Sequence, residues 1–238
     1  MTSLTVSMPA YNEGENIARM IDMVRDKAGP LVDDLEIIVV DDGSSDNTSE
    51  IVQAISDQNP RVRLIQHRVN QGYGAAVRDG VWAASKELVF FTDSDLQFDL
   101  GELAHFLPRL EEADMVIGYR HSRSDPWLRT LFGHGWSWLV NLLFGYTARD
   151  VDCAYKLFRR EVIDTVTVSS GGATFSAEFL VAAKQAGFTI VEEPVDHFPR
   201  IAGNQTGANL HVILRAFGEL FKLRWRMWTS GSQQGRRG

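Results

Sequence analysis

The chain has 238 residues and one cysteine, Cys153, so it can bury a substantial core but cannot form an internal disulfide. Its formal charge of −7 argues against a nucleic-acid-binding protein that works through a globally basic surface. The cysteine-poor composition suits the cytosol. The N-terminus enters a strand-like segment at once, and no run of about 18 apolar residues occurs, so we expect neither a signal peptide nor a membrane-spanning helix.

The first hundred residues alternate strand and helix signals. Strands are predicted at Leu4–Met8, Leu35–Val40, Val62–Gln66 and Glu87–Thr92, with helices at Glu15–Lys27, Asp46–Ser56 and Ala75–Ala84 between them. This alternation predicts an α/β fold, with a mostly parallel sheet and helices on both of its faces.

The second half of the chain is less regular. Asp99 and Glu102 have the spacing of a capping box, which predicts a helix from there to Leu110. The remaining predicted elements are a strand at Met115–Gly118, an aromatic-rich helix at Trp127–Phe144, a strand at Asp150–Arg159, a helix at Glu178–Ala186 and a strand at Phe188–Val191.

Acids and glycines follow each of the first four predicted strands. These segments are Pro9–Glu13, Asp41–Asp46, Asn70–Gly74 and Asp93–Asp95. Because ligands of open parallel sheets bind outside the carboxyl ends of the strands, the four segments are expected to meet in one crevice. The alternative is that they are ordinary polar loops, which explains their composition but not their repeated placement.

The most informative segment is the pair Asp93 and Asp95, which ends the apolar run Leu88–Phe91. Carboxylate oxygens suit Mg²⁺ or Mn²⁺, and Mg²⁺ commonly joins one or two protein carboxylates to substrate phosphates. An Asp-x-Asp pair by itself is also typical of solvated loop ends and helix caps, so its meaning depends on the neighbouring motifs.

Two of those motifs have chemical interpretations. Asp42 could accept hydrogen bonds from a nucleobase or ribose, or it could cap the next helix. Gly72 and Gly74 allow close backbone approach or a positive φ. Neither a dinucleotide-binding Gly-x-Gly-x-x-Gly nor a Walker motif is present.

Together the motifs resemble the family 2 glycosyltransferases of the GT-A fold, above all the dolichyl- and polyprenyl-phosphate mannose or glucose synthases. The matching segments are Ser7–Glu13, Val39–Thr48, Gln71–Ala76, Asp93–Gln97, Gly118–Arg120, Asp152–Arg160 and His197–Arg200. The resemblance covers residues 3 to about 226.

The resemblance implies a role for individual residues. The donor nucleotide would be held by Pro9, Tyr11, Glu13, Asp42, Gly74, Asp93 and Ser94, and the metal, Mg²⁺ or Mn²⁺, by Asp93, Asp95 and Gln97. The catalytic step would use Asp95, with Arg120 and Arg129 against the acceptor phosphate. Gly133 departs from the family pattern, because some relatives have a serine there.

The implied activity is an inverting, metal-dependent transfer of a hexose to a polyprenyl phosphate, with GDP-mannose as the first donor choice and UDP-glucose as the second. A lipid phosphate is already anionic, so it needs arginine forks and not a strong base. The alternatives are transfer to a sugar hydroxyl, for which Asp150 or Asp152 would be the base, and a catalytically silent nucleotide-sugar-binding protein. The intact Asp93 and Asp95 argue against the silent protein.

The chain is expected to form one domain over residues 1–228. It comprises a nucleotide-binding half (1–97), an acceptor-side half (98–208) and an amphipathic helix (209–228), followed by a disordered tail (229–238). The amphipathic helix combines Trp and Arg, which predicts either peripheral contact with the inner face of a membrane or packing against the body or a second subunit. The aromatic helix Trp127–Phe144 could line a prenyl groove or belong to the core. A homo-oligomer remains open.

Overall fold

A computed structural model describes residues 2–123, 127–172, 174–200 and 216–226, without the side chains of 122–129. Its strands are β1 (Ser3–Ala10), β2 (Asp34–Asp41), β3 (Val62–Gln66), β4 (Leu88–Thr92), β5 (Met115–Arg123), β6 (Tyr155–Arg159) and β7 (Ile190–His197). Its helices are α1 (Ile17–Lys27), α2 (Thr48–Gln58), α3 (Tyr73–Trp82), α4 (Leu103–Phe106), α5 (Trp127–Phe144), α6 (Arg160–Thr165), α7 (Phe175–Gln185) and α8 (216–226).

Within the described residues, the strands form one seven-stranded sheet in the order β3-β2-β1-β4-β6-β5-β7. Strand β6 runs antiparallel to both neighbours, and the other described pairs are parallel. The carboxyl ends of the parallel strands therefore share one edge of the sheet. The predicted α/β class, with a mostly parallel sheet flanked by helices, is confirmed.

The central strands are buried on both faces. Every residue of β4 is buried, and β2 is buried from Leu35 onward. Helices cover both sides of such a sheet, so its strands carry continuous apolar runs without alternation. The core makes the carboxyl edge of the sheet a rigid base for the loops that follow each strand.

The segment after Asp99 differs from its prediction. It consists of a 3-10 turn, the single-turn helix α4 and a second 3-10 segment, Leu107–Glu111. Pro108 has no N–H to continue an α-helix. The Glu102 carboxylate accepts a hydrogen bond from the backbone of Asp196 at 3.2 Å, while the Asp99 side chain caps Gly101 at 2.8 Å. The predicted helix start at Asp99 is therefore confirmed, whereas the reciprocal contact of Glu102 and the continuous α-helix to Leu110 are wrong.

The strands of the second half also have different bounds from those predicted. Strand β6 begins at Tyr155, so residues 150–154 form a loop at the carboxyl edge. Strand β7 starts two residues later than predicted and continues to His197, because it pairs in parallel with β5 along its length. The loop before β6 and the segment after β7 therefore lie at the same edge as the first four strand ends.

Helix α8 packs on the body through the buried residues Ala216, Leu220 and Leu223. The ring of Phe217 lies 5.8 Å from that of Trp136 in α5. The rest of the predicted amphipathic helix, 209–215 and 227–228, and the predicted disordered tail lie outside the described residues. Among those that are described, no helix is both long and apolar enough to cross a membrane.

Candidate active site

The structure brings the four predicted strand-end segments together at the carboxyl edge. The hydroxyl of Ser94, after β4, donates to the carbonyl of Pro9 in β1 at 2.8 Å. The side chain of Asn12, after β1, accepts from the backbone of Ser45 at 2.8 Å. These contacts join the ends of β1, β2 and β4 into one surface.

Asp42 ties the loop after β3 to this surface. Its two carboxylate oxygens accept hydrogen bonds from the backbone N–H groups of Gln71 and Gly72, each at 2.8 Å. The carboxylate is buried, and it also lies 2.7 Å from Nδ1 of His67. The Asp42 carboxylate thus already makes three contacts, and any contact with a nucleotide would be made in addition to them. The alternative that Asp42 caps α2 is wrong, because its oxygens bond to Gln71 and Gly72, and the first N–H of α2, that of Thr48, donates to Asp46 at 3.0 Å.

Gly72 and Gly74 show both of the expected uses of glycine. Gly72 has a φ of +99°. A Cβ on Gly74 would lie 2.1 Å from the carbonyl oxygen of Gly172, so the backbone in the first turn of α3 is in direct contact with the loop before α7. This contact holds Tyr73, whose hydroxyl donates to Oδ1 of Asp93 at 2.9 Å.

The turn between Asp93 and Gln97 is conformationally unusual. Leu96 is buried and adopts a φ of +61°, a left-handed conformation that is rare for a bulky residue. The turn lets the Gln97 backbone N–H donate to Oδ1 of Asp95 at 3.2 Å. Burial and then the charge of Asp93 raise the pKa of Asp95 to about 7, although Arg200 opposes the rise. A bound cation would relieve both unfavourable effects.

The residues present suit a hard divalent cation. The amide nitrogen of Gln97 donates to the carbonyl of Phe198 at 2.9 Å, so Oε1 is the Gln97 atom that could contact a cation. Asp93, Asp95 and this oxygen form an oxygen-only set, as Mg²⁺ and Mn²⁺ prefer. Across the described ranges no three His, Cys, Asp or Glu side chains group around one metal position. The remaining ligands would thus come from water and the phosphates of a substrate.

Replacing Tyr73 with Phe should weaken Mn²⁺ binding by roughly tenfold, because the hydrogen bond that orients Asp93 is lost. Isothermal titration with Mn²⁺ in the presence of a nucleoside diphosphate measures this effect. Tyr146→Phe is the matched control, since its exposed hydroxyl also bonds to a carboxylate, that of Glu192. Equal Mn²⁺ affinity in the two variants would contradict an orienting role for Tyr73.

Arg120 lies in a buried ion pair and not on the solvated surface. Its Nε and one terminal nitrogen donate to the two oxygens of Asp150 at 2.7 and 2.8 Å. The two side chains are 10% and 9% exposed. Burial would lower the pKa of Arg120, but Asp150 raises it above the ordinary value. A carboxylate held this way is a poor general base, which disfavours Asp150 in the hydroxyl-acceptor alternative.

The other predicted residues have more varied positions. Tyr11 is partly exposed, and Glu13 is buried with Oε2 accepting from the amide of Asn16 at 2.7 Å. Arg129 belongs to α5, but its side chain lies outside the described residues.

Three candidate residues were missed by sequence reasoning. Arg200 pairs with Glu13 and lies 3.7 Å from Oδ2 of Asp95. His67 lies between Asp42 and Asp79, with both ring nitrogens facing carboxylates. Lys156 is fully buried and donates to the carbonyls of Val151 and Cys153 in the loop that carries Asp150. Arg200 and Lys156 belong to matched motifs, which was the available signal. The partners of Arg200 are distant in sequence, whereas those of Lys156 lie three and five positions away.

The sheet is mostly parallel, and strand β4 ends in a turn that carries two carboxylates. This is the framework of an α/β protein that binds its ligand at the carboxyl edge of the sheet. This chain belongs to the family described as glycosyl transferase family 2, whose family model matches residues 5–167.

Two curated relatives are similar over most of this chain. A dolichyl-phosphate beta-glucosyltransferase of Trichomonas vaginalis is 30% identical over 213 residues, which cover 81% of this chain and 63% of the relative. An undecaprenyl-phosphate 4-deoxy-4-formamido-L-arabinose transferase of Proteus mirabilis is 27% identical over 216 residues, covering 90% and 65%. The chain thus spans slightly less than two thirds of the length of these relatives.

A solved structure shows the same fold. Glucosyl-3-phosphoglycerate synthase from Mycobacterium tuberculosis, in complex with Mn²⁺, uridine diphosphate and phosphoglyceric acid, has a TM-score of 0.70 and 20% identity. The match covers 94% of this chain and 78% of the other. The predicted GT-A fold is confirmed.

Proposed function

We propose that this chain catalyses the inverting, metal-dependent transfer of a hexose from a nucleotide sugar to a polyprenyl phosphate. The observation that carries the proposal is the carboxylate pair of half-buried Asp93 and buried Asp95 at the carboxyl edge of a family 2 fold. Both curated relatives are named as transferases of a dolichyl or undecaprenyl phosphate, which supports the acceptor class.

The donor side is proposed to use the first four strand ends. The base and ribose would contact Pro9, Tyr11, Glu13 and the loop that Asp42 and Gly74 hold in place. Asp93, Asp95 and Gln97 would hold Mg²⁺ or Mn²⁺, with Ser94 fixing their turn against β1. When bound, the cation would neutralise the charge of the departing nucleoside diphosphate.

The acceptor side is proposed to use cationic side chains. A phosphate monoester is anionic near neutral pH, so it can attack without a general base once it is positioned. Arg120 is proposed to supply one fixed positive charge, with Asp150 holding the guanidinium in place, and Arg129 a second. Arg120 is buried and oriented, which suits positioning better than nonspecific attraction of anions.

Two packed helices expose an apolar surface that suits the lipid part of the acceptor. Helix α8 contacts α5 through Phe217 and Trp136, and Arg224 lies over the ring of Phe144. Their exposed apolar residues are Leu131, Phe132, Trp138, Leu142, Phe221 and Trp225. An exposed apolar patch with Trp and cations is typical of a protein that contacts a membrane interface. Peripheral contact with the inner face of a membrane is therefore part of the proposal.

Changing Phe221 and Trp225 together to Ser should reduce binding to anionic liposomes by roughly tenfold or more, because both exposed side chains lose their apolar burial in the lipid. Co-sedimentation with phosphatidylserine-containing vesicles measures this loss. Val69→Ser, at another exposed apolar position, is the control. Deleting the whole helix is a poorer test, since it also removes the buried Leu220 and Leu223. Unchanged binding of the double variant would contradict the membrane surface.

A transfer assay tests the function directly. The protein is incubated with Mn²⁺, a short polyprenyl phosphate and radiolabelled GDP-mannose or UDP-glucose, and the products are extracted into organic solvent. Mannose is the first prediction from the sequence, and glucose is the sugar named for the Trichomonas relative. Label in the organic phase supports the proposal. Transfer only to water-soluble sugars would replace it with a hydroxyl acceptor, and tight nucleotide binding without transfer would indicate a binding protein.

A further inference from the structure

Arg200 occupies the space between two acids of the candidate donor site. One terminal nitrogen donates to Oε1 of Glu13, and the other lies 3.7 Å from Oδ2 of Asp95. The arginine side chain is 16% exposed. Glu13 comes from the loop after β1 and Asp95 from the turn after β4, so one guanidinium joins two of the strand ends.

Backbone pairing fixes the position of Arg200. An isolated antiparallel bridge joins Phe98 to His197, at the end of β7. The Phe198 N–H donates to the carbonyl of Gln97 at 2.8 Å, and the Gln97 amide donates back to the carbonyl of Phe198 at 2.9 Å. The segment that carries Arg200 is therefore attached directly to the turn that carries Asp95.

A guanidinium in contact with Asp95 and a divalent cation on the same carboxylate repel each other, and the low exposure of the site weakens screening by water and salt. The repulsion disappears if a diphosphate supplies further negative charge that both cations can share. Arginine is well suited to such a ligand, because its planar fork matches two phosphate oxygens.

We propose that Arg200 is the resident counter-ion of Asp95 and that it exchanges with the divalent cation when a nucleoside diphosphate binds. The cation would then bind Asp95, while Arg200 remains paired with Glu13 and directs its other terminal nitrogen toward the diphosphate. Arg200 thereby makes metal binding dependent on the nucleotide. The inference rests on the proposed function, since it assumes the metal and donor site at Asp93 and Asp95.

Mn²⁺ titrations of the full chain test the exchange, with Arg200→Gln compared with the unmodified protein. Bound Mn²⁺ is measured by electron paramagnetic resonance, without nucleotide and with saturating GDP or UDP in separate series. The unmodified protein should bind Mn²⁺ at least about tenfold more tightly with nucleotide, within the usual range of coupling between two ligands. Arg200→Gln should bind Mn²⁺ alone about tenfold more tightly than the unmodified protein, and its further gain from nucleotide should be smaller, because only the phosphate ligands and not the release of Arg200 contribute to it.

Two controls isolate the charge of Arg200. Arg200→Lys should keep most of the nucleotide dependence, and Arg25→Gln, at an exposed arginine, should leave every affinity unchanged. Circular dichroism checks that each variant is folded. If Arg200→Gln binds Mn²⁺ alone no more tightly than the unmodified protein, the exchange is wrong. Because the readout is metal binding, a positive result stands even if the transfer assay yields no product, and that second result would overturn the proposed function alone.

Discussion

Asp95→Asn is expected to reduce hexose transfer by at least about a hundredfold, because a metal-stabilised leaving group accounts for several kcal/mol of a transition state's charge stabilisation. Asn has the size of Asp and can still accept the Gln97 N–H at the same position, so the fold should be retained. The change removes one of the two carboxylates that are proposed to hold the cation, and it removes the charge that lies unfavourably close to Asp93.

The measurement is the transfer assay, combined with Mn²⁺-dependent binding of GDP and UDP. Asp99→Asn is a closely matched control, since it makes the same chemical change four residues away at an exposed position and Asn can still cap Gly101. The control should transfer sugar normally. Normal turnover by Asp95→Asn would mean that the reaction takes place elsewhere in the chain.

Asp150→Asn is expected to lower the free energy of unfolding by about 3 kcal/mol, because it leaves the largely buried charge of Arg120 without its carboxylate. For a chain of this size the midpoint of thermal unfolding should fall by about 6–12 °C, as measured by differential scanning calorimetry. Asp22→Asn removes a carboxylate from an exposed pair with Arg25 and should change the stability by less than about 1 kcal/mol. Equal effects at Asp150 and Asp22 would contradict the importance of the buried pair.

A double variant separates the structural role of Arg120 from its proposed role in binding the acceptor. Arg120→Met combined with Asp150→Asn removes both charges, so much of the lost stability should return. Transfer to polyprenyl phosphate should nevertheless stay low, because the positive charge for the acceptor is absent. A double variant that regains both stability and transfer would show that Arg120 serves the fold alone.

The sheet could be predicted because its information is local. Continuous apolar runs such as Leu35–Val40 indicate strands buried on both faces, and helical periodicity between them indicates crossovers. The helix after Asp99 was predicted wrongly because the prediction relied on the capping pattern and did not include Pro108, which has no N–H to continue an α-helix. Its Glu102 is instead used by Asp196, a contact across 94 positions of sequence that no local pattern contains.

The candidate site was likewise predictable only where its residues are close together in the sequence. Asp93 and Asp95 are neighbours in the chain, and the strand before them indicates the edge at which they lie. The residues around them are distant in sequence: Tyr73 is 20 positions from Asp93, and Arg200 is 187 positions from Glu13. The ion pair of Arg120 and Asp150 likewise joins strand β5 to the loop before β6, across 30 positions of sequence.

The sequence by itself determined the α/β class, the carboxyl edge at which a ligand would bind and the carboxylate pair suited to a divalent cation. These properties follow from periodicity and from residues close together in the chain. Tertiary structure decided which charges are already paired: Asp42 with the loop after β3, Arg120 with Asp150, and Arg200 with Glu13 and Asp95. The physical reason is that a charge acts through its distance and its burial, and both are set by how the strands lie side by side and not by spacing along the chain.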